Sequence, residues 1–145
     1  MKILVIEDSM TQGLRIKHLL YTLGHKAVVV ESLSKGRRSL SQSTFDLILC
    51  DLTLPDSDMG DTLKWISEVK DSGPNILITT VTELPTIALV ELNLNPKIIG
   101  LWDKSDINTL STLIQSSDKV SKCRSQLSQQ LSQACLGSLP LFSLN

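Results

Sequence analysis

Five short aliphatic runs, each followed by a stretch of helical periodicity, constrain this chain more than any other feature of its sequence. Ile3 to Ile6, Ala27 to Val30, Phe45 to Cys50, Ile76 to Thr80 and Ile98 to Trp102 are nearly continuous in apolar residues. Runs of that kind belong to strands covered on both faces, since a strand with one wet face alternates apolar and polar residues. Between them, Ile16, Leu19, Leu20 and Leu23 recur at helical spacing, with Ser9 placed to cap the start and Gly24 to stop the end. Ser34 to Ser41 reads as a short polar helix. Leu63, Trp65, Ile66 and Val69 mark a third helix, predicted to end near Ser72-Gly73-Pro74. Pro85 to about Leu92 is a fourth, with proline in its first turn, and a last helix begins at about Ser105.

Strand and helix alternating five times predict an α/β fold, a (βα)5 doubly wound parallel sheet with helices on both faces. Right-handed crossovers leave few topologies, and five strands favour the flavodoxin-like order 2-1-3-4-5. The 145 residues suffice for one such domain, and 41% hydrophobic with only 3% aromatic residues means a core of Leu, Ile and Val. A formal net charge of −1 leaves no electrostatic footprint for nucleic acid or an anionic membrane. Three cysteines, Cys50, Cys123 and Cys135, with no CxxC pair, argue against a disulfide framework or a structural zinc site. The first apolar run is too short for a signal peptide and no stretch approaches a membrane span, so a soluble cytoplasmic protein is expected.

Beyond about Ser117 the composition turns to Ser and Gln. Residues 1–117 are therefore expected to form the domain and 118–145 a helical extension or linker. Leu110, Leu113, Val120, Leu127, Leu131 and Ala134 fall on an alternating three-four spacing, which would let the last helix run on as a weak seam interrupted at Ser117 and Arg124. The segment Leu139-Pro140-Leu141-Phe142 is apolar and could pack back on the domain or bind a partner.

In doubly wound sheets, ligands bind beyond the carboxyl ends of the strands at the switch point, here between the first and third. Strand 1 ends in Glu7-Asp8, strand 3 in Asp51, strand 4 in Thr79-Thr80 and strand 5 in Lys104. The proposed order brings three carboxylates to one rim, flanked by a hydroxyl and an ammonium. Two carboxylates about 4 Å apart repel by about 4 kcal/mol at an effective dielectric of 20, so the cluster wants a cation. All-oxygen ligands suit Mg²⁺, which would also neutralise charge on a phosphoryl group approaching Asp51, while Lys104 and Thr79 hold its remaining oxygens. Taken singly these residues have plainer readings: Asp8 and Ser9 as helix caps, Thr79 as a strand former, Lys104 as a solvated lysine. Their convergence at one crevice favours phosphoryl transfer onto Asp51. Cys50 reads as a buried strand residue, and His18 and His25 have no second ligand at metal spacing.

Ile3-Leu4-Val5-Ile6-Glu7-Asp8-Ser9, Asp46-Leu47-Ile48-Leu49-Cys50-Asp51-Leu52-Thr53-Leu54-Pro55, the Thr79-Thr80 strand end and Asp103-Lys104 resemble the receiver domain of two-component response regulators over residues 1 to about 117. The resemblance implies that Asp51 is the phosphoacceptor and that Glu7, Asp8, Asp51 and the backbone carbonyl of Thr53 bind Mg²⁺. It makes Thr79 the switch hydroxyl, with Thr80 as the second choice, and Lys104 the lysine of the pattern. The chain departs from relatives in four places. Leu101 stands where they carry an aromatic residue, with the ring at Trp102; Ser105 replaces a frequent cis proline; the glycine of the Leu54 to Gly60 loop falls one position late. The stretch from Thr79 to Lys104 is slightly long, with the extra length expected around Asn93 to Lys97 and an irregular fourth helix.

The resemblance implies a non-enzymatic signalling module, phosphorylated by a sensor histidine kinase or phosphotransfer protein. Output would come from a changed partner surface, including a homodimer through the face of the fourth helix, fifth strand and fifth helix, or through the C-terminal helix. After residue 117 no folded output domain fits, so a partner, self-association or a domain lost by truncation is expected. The rival is a receiver-like interaction module that no longer switches. An aspartate-nucleophile phosphatase would need a second acid two residues beyond Asp51, where Thr53 stands.

Overall fold

The computed structural model describes residues 1–70, 72–80 and 84–115. Strands β1 (Lys2–Ile6), β2 (Lys26–Val30), β3 (Leu47–Asp51), β4 (Asn75–Thr80) and β5 (Ile98–Asp103) form one sheet, every pair parallel, in the order β2-β1-β3-β4-β5. The doubly wound order expected from the alternation is the one observed. Helices α1 (Met10–Thr22) and α5 (Ile107–Gln115) cover one face, and α2 (Leu33–Gln42), α3 (Met59–Glu68) and α4 (Thr86–Leu94) the other.

Alternation of side chains along each strand divides the core in two. Ile3, Val5, Leu47, Leu49, Leu77 and Trp102 pack under Ile16 and Leu20 of α1 and Leu110 and Ile114 of α5. Leu4, Ile6, Ile48, Cys50, Ile76 and Ile78 pack under Leu33, Trp65, Ile66 and Leu92. Each fully buried aliphatic side chain contributes roughly 1.5–3 kcal/mol, so the aliphatic runs are the main source of stability.

Local signals account for the helix ends. Ser9 caps α1, its hydroxyl accepting from Gln12 N–H, and Gly24 takes a φ of 86° just past the helix, where His25 N–H reaches back to the Leu20 carbonyl. Gly36 lets α2 lie close on β1, since a Cβ there would meet Ile6 Cδ1 at 2.6 Å.

Three expectations are corrected. The third helix ends at Glu68, well before Ser72-Gly73-Pro74, because Val69 turns extended and its N–H bonds Ile66. The last helix starts at Ile107, since Asp103 first accepts both the N–H and the hydroxyl of Ser105 and holds a turn. The fourth helix is continuous rather than irregular, and the fifth strand carries a register shift: Ile76 pairs Ile98 but Leu77 pairs Gly100, leaving Ile99 as a bulge. The 118–145 extension, the run-on of the last helix and the apolar Leu139 to Phe142 segment lie outside the described residues. Among the described residues no helix is long and apolar enough to cross a membrane.

Candidate functional site

Each chemical side chain at the carboxyl rim stands two residues beyond a member of the α1/α5 layer. Glu7 follows Val5, Asp51 follows Leu49, Thr79 follows Leu77 and Lys104 follows Trp102. Because a step of two returns a strand side chain to the same face, all four converge on one side of the sheet. The ladder carries this pattern past the strand ends, with Glu7 N–H donating to the Val30 carbonyl and Lys104 N–H to the Thr80 carbonyl, each at 2.9 Å. Thr80 follows Ile78 of the opposite layer, so Thr79 is the hydroxyl that shares a face with Asp51, its register partner across β3 and β4.

At the centre lies Lys104, only 6% exposed, whose Nζ donates to Glu7 Oε2 at 2.7 Å and to Asp51 Oδ2 at 2.6 Å. The two buried carboxylates are bonded alike. Glu7 Oε1 accepts from Ser9 N–H at 3.1 Å and Asp51 Oδ1 from Thr53 N–H at 3.0 Å, so each acid spends one oxygen on the ammonium and the other on the backbone two residues ahead. Buried charges persist only when paired and hydrogen-bonded in this way. Burial raises the Glu7 carboxyl above its ordinary value, outweighing the lowering by Lys104 and Ser9. Burial also pulls Lys104 down, but its bonds to Asp51 and Glu7 more than reverse this and leave the ammonium above its usual value.

Asp8 is exposed beside them, and one ligand oxygen each from Glu7, Asp8 and Asp51 lies within 4.8 Å of the others. Three carboxylates against one ammonium leave two negative charges uncompensated, which matches a divalent cation. All donors are hard oxygens, and Asp8 gives the group an open side, so the set fits Mg²⁺ better than a soft or tetrahedral metal. A cleft of about 410 Å³ adjoins Glu7 and Asp8, walled by Met10 and Leu14 of α1 and by Val29, Val30 and Glu31. A larger hollow of about 440 Å³ between α3 and α4, lined by Leu63, Ile66 and Leu92, is mainly apolar and remote from these acids.

The structure therefore brings together Glu7, Asp8, Asp51 and Lys104, with Thr79 on the same face and Thr53 in the loop just beyond Asp51. Cys50 is buried, and burial and the Asp51 charge push its thiol up, so it stays protonated. Trp102 is a core residue: its ring is 1% exposed and its Nε1 donates to the Asp106 carbonyl at 2.8 Å, while Leu101 is 42% exposed. Sequence reading missed Asp56, whose carboxylate bonds the start of α2. Its partners lie 22 and 23 residues earlier in the chain, and no local pattern announces them.

A doubly wound sheet with this acid-and-lysine rim is the architecture of a signal receiver. The sequence profile of the response regulator receiver domain matches residues 3–114, and the chain belongs to that family. It is therefore a receiver domain of the two-component type, a family whose members are in general not enzymes and interact with histidine kinases or phosphotransfer proteins. Among curated proteins it is 35% identical over 82 residues to the swarming motility regulation protein RssB of Serratia marcescens, covering 57% of this chain and 36% of that protein. It is 26% identical over 84 residues to the transcriptional regulatory protein ZraR of Klebsiella oxytoca, covering 58% of this chain and 19% of that one. The chain thus matches about a third or less of the length of these relatives. Among solved structures, a CheY-like receiver domain from Methylobacillus flagellatus superposes with a TM-score of 0.66 at 23% identity, over 79% of this chain and 96% of that one. The receiver domain of a Pseudomonas aeruginosa sensor histidine kinase, described with a magnesium ion coordinated in its active-site cleft, superposes at 0.65 and 22% identity, over 80% and 94%.

Proposed function

We propose that Asp51 accepts a phosphoryl group from the phosphohistidine of a sensor kinase or phosphotransfer protein in the cytoplasm, with Mg²⁺ required. The observation that carries this reading is the convergence of one carboxylate oxygen each from Glu7, Asp8 and Asp51 within 4.8 Å, with Glu7 and Asp51 also bonded to the Lys104 ammonium. Glu7, Asp8, Asp51 and the Thr53 carbonyl would hold the cation, which when bound supplies charge neutralisation to the incoming phosphoryl oxygens. An oxygen of the Asp51 carboxylate attacks phosphorus in line as the bond to the imidazole nitrogen breaks, leaving an acyl phosphate on Asp51 and a free histidine on the donor. Lys104, already hydrogen-bonded to Asp51, holds an equatorial phosphoryl oxygen, and the Thr79 hydroxyl, one strand over, holds another. The new charge draws these two groups together and biases α4, β5 and α5, the surface through which a partner or a second copy would read the state. Ile87, Val90 and Leu101, all exposed there, support that assignment.

Labelling with acetyl phosphate and Mg²⁺ followed by mass mapping tests the reading. One phosphoryl group on Asp51 is expected, and its absence or its appearance elsewhere overturns it. The buried Trp102 and exposed Leu101 favour a second reading, an interaction module that does not switch, because the aromatic residue is locked in the core. Fluoroberyllate with Mg²⁺ separates the two: shifts in the amide signals of residues 98–104 support switching, and a flat response supports the rival. Sedimentation with and without fluoroberyllate tests self-association.

A further inference from the structure

The turn that follows Asp51 is fastened to α2 by one side chain. Asp56 Oδ1 accepts from Leu33 N–H at 2.9 Å and Oδ2 from Ser34 N–H at 3.0 Å, while Ser32 Oγ accepts from Lys35 N–H at 3.3 Å and the Ser32 carbonyl from Gly36 N–H at 3.0 Å. The first four N–H groups of a helix lack internal partners, and here half of them are satisfied by a loop from elsewhere in the chain. Asp56 is exposed, so burial does not force these bonds; a charged acceptor at the positive end of a helix is favourable in itself. The same bonds hold its carboxyl below the ordinary value.

On its other side the turn is equally fixed. Leu54 and Ser57 exchange backbone bonds at 3.3 Å, both are buried, and the Ser57 hydroxyl lies 2.7 Å from that of Thr62 in α3. Thr53, which precedes this turn directly, donates its N–H to Asp51 Oδ1. Asp56 thus stands three residues beyond Thr53, at a corner of the turn that is hydrogen-bonded to α2.

We propose that Asp56 is a positioning residue for the acid pocket, tying the turn to α2 so that the Asp51 carboxylate and the Thr53 carbonyl keep the spacing a cation requires. This rests on the reading of Asp51 and Thr53 as cation ligands. The test is Mg²⁺ titration by calorimetry of the full chain and three variants. Asp56→Ala weakens Mg²⁺ binding about tenfold, the low end for residues that orient metal ligands. Asp56→Asn, which keeps one acceptor oxygen in the same shape, falls between Asp56→Ala and the unaltered chain and decides the matter should Asp56→Ala fail to fold. Ser32→Ala removes a cap from the same helix without touching the turn and leaves the affinity unchanged. Unaltered Mg²⁺ affinity in both Asp56 variants, or an equal loss in Ser32→Ala, overturns the proposal. An unaltered chain that binds no Mg²⁺ overturns the Asp51 reading with it, whereas binding indifferent to Asp56 overturns this proposal alone.

Discussion

Helices α2 and α4 lie on the same face of the sheet and are built in opposite ways. The first turn of α2 is bonded by Ser32 and Asp56, its outward residues include Lys35, Arg37 and Arg38, and it reaches the core through Leu33 and Gly36. The N-cap position of α4 is Pro85, which has no side-chain acceptor, and the helix turns Ile87, Val90 and Leu94 to solvent while burying Ala88 and Leu92. One helix is fixed to the turn beside Asp51 before any ligand arrives. The other, which follows the Thr79 strand, has no side-chain cap bond at its start and presents an apolar outer surface. The difference places side-chain fastening on the α2 side of the pocket and, on the proposed reading of Asp51 as phosphoacceptor, leaves the α4 side as the part to be repositioned.

The strongest way to break this comparison is to remove the chemistry at its centre. Asp51→Asn abolishes labelling by acetyl phosphate in intact-mass measurement while the circular dichroism spectrum is unchanged; retained labelling would leave neither helix with a signal to respond to. Next in size, Lys104→Met strips the ammonium from two buried carboxylates and lowers metal-free stability by about 3 kcal/mol in urea denaturation. A loss below about 1 kcal/mol, the range of an exposed ion pair, would show that the two acids are not held as described.

Smaller effects separate the helices themselves. Ser32→Ala removes a working cap and costs about 1 kcal/mol, whereas Pro85→Asp supplies α4 with a missing one and raises stability by about 0.5 kcal/mol. Equal losses from both substitutions in urea denaturation would erase the contrast. The smallest effect is in pH. The Asp56 carboxyl lies below its ordinary value of 3.8 because Ser34 and Leu33 donate to it, so its contribution is present above that value and fades as pH falls through the lower folded-state value. Amide exchange at Leu33 and Ser34 therefore accelerates as the pH falls below 3.8 and through that lower value, beyond the intrinsic pH trend of exchange. Asp56→Asn removes that acceleration, and α4 amides never show it.

The strands and their order were legible because a strand covered on both faces must be apolar throughout, and five such runs in βα alternation admit few sheets. The acids and the lysine were legible because the strand ends of such a sheet are where ligands bind. The rest depended on contacts that local patterns do not encode. The bulge at Ile99 leaves no mark in an apolar run, because both registers bury the same kind of residue. Trp102 stands beside a functional lysine, and only register shows that it belongs to the core. Asp56 looks like an ordinary turn residue until the fold brings α2 to it.

The shared parity of core and rim has a consequence for insertions and deletions. A single residue added between Val5 and Glu7, or between Leu49 and Asp51, would swing the acid through the sheet to the side of α2, α3 and α4 while sparing every apolar contact nearer the strand's start. Such a chain would keep its apolar core nearer the strand's start, yet its carboxylates would face opposite layers and no longer share the Lys104 ammonium.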